Sequence, residues 1–126
     1  MMRTLCFGVG LCLGALFSPQ ATHERLDDPV KISPQYYTIR LENDRVRVLE
    51  YRLKPGEREP MHSHPQGIVY YLADATWRVT LPDGTTSESK VANGQVAWLE
   101  FTRHAVENTG RTDAHAIAVE LKSASH

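Results

Sequence analysis

Turn residues punctuate the chain from Tyr36 to Leu121 at intervals of about eight to twelve, and this rhythm excludes most folds. Glu42-Asn43-Asp44, Lys54-Pro55-Gly56-Glu57, Ala73-Asp74-Ala75, Pro82-Asp83-Gly84-Thr85, Ala92-Asn93-Gly94 and Thr109-Gly110-Arg111 are all turn-formers. Between them lie short stretches rich in Val, Ile, Leu and Tyr. Trp77, Val79 and Leu81 alternate with Arg78 and Thr80, as on a half-buried strand. Ile68 to Leu72 is continuously apolar, as in a central strand. From Arg45 to Leu53 the apolar positions change phase between Val48 and Leu49, which predicts a bulge or a strand covered on both faces. Ala114 to Leu121 closes the chain with Ile117, Val119 and Leu121 on one face. No stretch has the period of an amphipathic helix. About nine short strands of this kind predict an all-β sandwich or barrel.

The first residues differ. Met1-Met2-Arg3 is a short positive start, and Leu5 to Phe17 is apolar or glycine without a charge. That is too short to span a bilayer comfortably and suits the core of a secretory signal. The expected organisation is a signal peptide over 1–21, a flexible arm over 22–35 and one β domain over 36–122, in a secreted or periplasmic protein. No stable membrane insertion is expected of the mature chain. Cys6 and Cys12 both fall in the leader, so the mature chain has no disulfide and no thiolate ligand. The net charge of −1 and the absence of a basic stripe argue against nucleic acid as a partner. Phosphate-loop glycine patterns are absent.

Chemistry concentrates at Pro60-Met61-His62-Ser63-His64-Pro65. In an extended segment, residues two apart project to one side, so His62 and His64 can share a metal ion. His104, about forty residues later, is the candidate third ligand. Three neutral imidazoles suffice for a divalent Fe, Mn, Ni, Cu or Zn ion. Gln66 is a candidate fourth ligand, and Glu100 a candidate acid or base if it faces the pocket. Tyr70, Tyr71, Trp77, Trp98 and Phe101 are core candidates. Tyr70, Trp77 and Trp98 are further considered as pocket walls, with Gln66 and Glu100. His115 reads as a core or rim histidine, and Asn108 as a residue that closes its own turn.

Gly56, five residues on to His62-Ser63-His64, resembles the first half of the first cupin motif, Gly-x5-His-x-His-x3,4-Glu-x6-Gly. Gly94, His104 and Asn108 resemble the second, Gly-x5-Pro-x-Gly-x2-His-x3-Asn. The resemblance covers about residues 38 to 121. It implies a small jelly-roll barrel, the double-stranded β-helix, with a divalent metal held by His62, His64 and His104. It also implies activity on a small organic molecule, with an oxygenase-type reaction leading, and a homodimer as a plausible assembly. Departures are clear. No Glu lies between His64 and Leu72; Ile68 and Val69 stand where the motif has its carboxylate. Glu100 and Thr102 replace the second motif's Pro and Gly. The lack of a clear acid or base keeps a non-catalytic binding or sensing module as the alternative, and the sequence assigns no catalytic residue.

Overall fold

The structure, a computed structural model, describes residues 27–123. The leader expected over 1–21 and the first part of the arm lie outside the described residues. A short helix α1, Pro29–Ile32, and a 3-10 turn, Pro34–Tyr36, lead into nine strands. These are β1 Tyr37–Glu42, β2 Val46–Leu53, β3 Arg58–His64, β4 Gly67–Tyr71, β5 Ala75–Thr80, β6 Thr86–Val91, β7 Val96–Leu99, β8 Thr102–Asn108 and β9 Ala114–Leu121. They form two antiparallel sheets, ordered β1-β2-β9-β4-β7 and β3-β8-β5-β6. The strand boundaries follow the turn chemistry read from sequence. Gly56 and Gly94 take φ of 81° and 88° in the turns before β3 and β7, a left-handed conformation that costs glycine little. Among the described residues no helix is long and apolar enough to cross a membrane.

The sheets face each other across Leu53, Tyr51, Val69, Tyr71, Ala75, Trp77, Val106, Ala114 and Ala116. Tyr71 and Trp77 pack at 5.8 Å between ring centres. Asn108, 1% exposed, ties the β8–β9 turn with Nδ2 donating to the carbonyls of Leu53 and Thr112.

Three features depart from the sequence expectations. β2 alternates regularly along its whole length, with Arg47, Leu49, Tyr51 and Leu53 inward. The phase change arises because an arginine occupies an inward position, while Val46 and Val48 face out. The irregularity in that pair sits in β1, between Ile39 and Leu41. On β9 the apolar face of Ile117, Val119 and Leu121 points outward, and Ala114, Ala116 and Glu120 are the buried set. Small side chains there leave room between the sheets. Finally, residues 27–35 of the expected flexible arm are folded against the barrel. The Ser63 amide donates to the Asp27 carbonyl at 2.9 Å, Arg103 pairs with Asp27 at 2.6 Å, and Ser33 is 1% exposed. A turn segment rich in proline is ordered here because its polar groups find partners on β3 and β8.

Candidate metal centre

β3 and β8 pair antiparallel with His62 directly opposite His104. Directly opposed side chains in such a pair lie on one face, their Cβ atoms about 5 Å apart. His64 lies two residues along β3 on the same face. Strand geometry therefore brings three imidazoles to one point. Ring centres are 4.8 Å apart for His62–His64, 4.7 Å for His62–His104 and 5.7 Å for His64–His104. One nitrogen from each ring lies within 4.8 Å of the other two.

β3 carries a bulge between Glu59 and His62, at Pro60-Met61. Residues three apart on a regular strand face opposite ways; the extra residue turns both Glu59 and His62 inward. Pro60 has no amide to lose, and β3 is a sheet edge, where proline is tolerated. The bulge also orients the imidazole. His62 Nδ1 donates to the Pro60 carbonyl at 2.8 Å, so in the neutral ring Nε2 holds the lone pair. That Nε2 is buried and has no hydrogen-bond partner. A buried polar nitrogen left unpaired costs about 1–3 kcal/mol. Facing two other imidazoles, it has the form of a metal ligand held in the right tautomer.

Burial first, and the neighbouring imidazoles second, push His62 down to about 3 and His104 down to about 4. Both are neutral at pH 7, as ligands must be. The unfolded chain, with histidines near 6.5, takes up protons below that pH that the folded chain refuses. Metal-free protein is therefore expected to lose on the order of 5 kcal/mol of stability, about half from each ring, as pH falls from 6.5 toward 4. Urea midpoints measured across that window check this; a flat profile would mean that the rings are solvated.

The centre opens on a cavity of about 440 Å³ between the sheets. Val69, Tyr71, Trp77, Val79, Leu99 and Val106 give it apolar walls. Of the pocket residues expected from sequence, Trp77, Trp98 and Glu100 line it. Gln66 and Tyr70 do not. Gly67, Val69 and Tyr71 are the buried residues of β4, which leaves Tyr70 on the outer face, 43% exposed, and Gln66 exposed before the strand. Trp98 and Phe101, read as core candidates, are 52% and 63% exposed at the cavity rim. Glu100 is exposed and accepts a hydrogen bond from Trp98 Nε1 at 2.9 Å. His115 lies on the outer face against Glu50, at 3.3 Å.

Two buried carboxyls at the cavity escaped the sequence reading. Glu59, 2% exposed, lies 3.3 Å from His62 Nδ1 and accepts from the Tyr37 hydroxyl. Burial pushes its carboxyl up, against the lowering effect of the tyrosine contacts. Glu120, 3% exposed, lies 3.8 Å from His64 Nδ1 and is gripped by Arg47. Burial would raise its carboxyl, but His64 and Arg47 together hold it below the usual range. The available signal was the alternation itself: a charge at an inward position of a strand is rarely decorative.

No protein-family model matches the sequence, and no curated protein is similar to it. Solved structures are. A cupin domain from Bordetella pertussis matches at a TM-score of 0.63 and 26% identity, over 69% of this chain and 92% of that one. An RmlC-like cupin family protein with a double-stranded β-helix fold from Methanocaldococcus jannaschii matches at 0.55 and 15%, over 68% and 77%. The polyketide cyclase RemF from Streptomyces resistomycificus matches at 0.51 and 21%, over 68% and 63%.

Proposed function

The chain belongs to the cupin superfamily, and from that premise we propose that it is an exported single-domain cupin that binds one divalent metal through His62, His64 and His104. In this reading it acts on a small, largely apolar organic molecule in an oxygenase-type reaction. The observation that carries the metal is the unpartnered, buried Nε2 of His62, turned toward two further imidazoles. An all-nitrogen set suits Fe, Mn, Ni, Cu or Zn in the divalent state. Such an ion supplies Lewis acidity and open coordination positions. The chain's own residues do the rest. Apolar side chains make up much of the cavity wall. Tyr71 and Trp77 present flat faces to a ring. Glu59, 3.3 Å from His62 Nδ1 with its carboxyl pushed up by burial, is the carboxyl placed to exchange a proton beside the centre.

Export rests on the leader read over 1–21. A homodimer is part of the same proposal; it rests on the apolar side chains Leu41, Ile68, Tyr70 and Trp98, all exposed on the five-stranded sheet. A second reading, a binding or sensing module without turnover, is favoured by one observation: Glu100, a candidate acid or base only if it faced the pocket, is solvent-exposed and engaged by Trp98.

The test is elemental analysis of the untagged chain, prepared anaerobically, followed by oxygen-uptake measurements with simple phenols such as catechol. About one metal per chain with oxygen uptake is the expected result. Metal without uptake across a panel of such phenols favours the sensing module. A metal-free chain that takes up no ion on titration overturns both.

A further inference from the structure

We propose that Glu120 supplies, through His64, the negative charge that the first motif lacks, and that Arg47 and Asp28 aim it. The inference rests on the reading of the centre as a metal site. Glu120 faces the cavity directly across from Gly67, at the start of β4. No side chain fits at Gly67: a Cβ there would lie 2.1 Å from the Val119 carbonyl oxygen. The strand that holds the motif's carboxylate thus begins with a residue that yields its space to its neighbour, and the neighbour brings a carboxylate.

Glu120 Oε2 lies 3.8 Å from His64 Nδ1, within ion-pair distance and longer than a hydrogen bond. Arg47 fixes its position, with Nε at 2.9 Å and Nη2 at 2.7 Å from Oε1. The other side of the same guanidinium meets Asp28 in a fork, Nη1 to Oδ2 at 3.0 Å and Nη2 to Oδ1 at 2.9 Å. Asp28 is itself held as the N-cap of α1, where it accepts from the Val30 amide at 3.1 Å. Asp28, Arg47 and Glu120 are 6%, 4% and 3% exposed. The row therefore runs inside the protein from the first described turn to a ring of the centre. Planar bidentate pairing is directional, so each member constrains the next.

A carboxylate beside one nitrogen of an imidazole favours the proton there and leaves the other nitrogen's lone pair for a metal, with raised basicity. His62 obtains the same service from the Pro60 carbonyl. Glu120 is a positioning residue, acting through His64. Because Arg47 already occupies it, it stays out of the histidine cluster, which contains no carboxylate. Cleavage near Ala21 would keep Asp28 in the mature chain.

The test is Zn²⁺ affinity of the untagged chain, by competition with a chromophoric chelator, with Cu²⁺ electron paramagnetic resonance of the loaded protein as a second readout. Glu120→Gln is expected to weaken Zn²⁺ about 10- to 100-fold and to shift the copper hyperfine splitting. Asp28→Asn should give a smaller loss, up to about tenfold, in the same direction. Glu50→Gln, on the outer face beside His115, should change neither. A purely structural role would lower the melting temperature and leave the copper spectrum of folded, loaded protein unmoved. If Glu120→Gln does not fold, Asp28→Asn carries the test. Unchanged affinity in either folded variant overturns the proposal. Failure of the parent chain to bind Zn²⁺ overturns the metal reading itself, and this one with it.

Discussion

A His62→Ala/His104→Ala variant is expected to bind no divalent metal at concentrations that saturate the parent chain. The two rings face each other across the β3–β8 pair, so their removal takes away two of three nitrogens and leaves His64 alone. A single imidazole cannot strip an aqueous ion of enough water to hold it, and affinity should fall at least about a thousandfold. The fold should survive. The variant loses one buried and one half-buried ring but also loses the unpaired Nε2 and the acid sensitivity of two depressed imidazoles. Elemental analysis and chelator competition read the result, with His115→Ala as a control on the opposite face. A double variant that keeps its metal would place the ligands elsewhere.

Arg47→Met is expected to be strongly destabilising. The guanidinium is 4% exposed and shared between Asp28 and Glu120. Its removal takes the shared cation from two carboxylates that are themselves nearly inaccessible. Breaking a buried ion pair by removing one partner typically costs about 3–5 kcal/mol, because the charge left behind is no longer compensated by it. For a domain of this size that is a drop of more than about 10 °C in melting temperature. The triple replacement Asp28→Asn/Arg47→Met/Glu120→Gln should regain most of the loss, since it removes the charges as well as the bond. Chemical denaturation of both variants at pH 7 checks this. Equal stability of the single variant and the parent would mean that Arg47 is solvated and the row does not exist as described.

Much of the architecture was written locally. Turn residues such as Pro82-Asp83-Gly84 act on their immediate neighbours, so strand ends could be read from them directly. His62 and His64 share a face because side chains alternate along any strand. Facing was harder. On β9 the more hydrophobic set, Ile117, Val119 and Leu121, faces outward, and alanines with Glu120 face the cavity. Hydrophobicity predicts burial only where there is a core to fill; a strand that borders a cavity reverses the preference. Tyr70 and Gln66 fell on the wrong side of the wall for a related reason: the continuous apolar run from Ile68 to Leu72 conceals which phase points inward.

The sequence by itself determined an all-strand chain and the two histidines of β3, because turn propensity and strand alternation are properties of adjacent residues. Only the tertiary structure decided that His104 stands opposite His62, that a bulge at Pro60-Met61 turns Glu59 inward, and that Asp28, Arg47 and Glu120 meet in a buried row. Those depend on strand register and on contacts between residues separated by 19 and 73 positions in the two arms of that row. Register is set by the sum of packing across two sheets, and no short stretch of residues contains that sum.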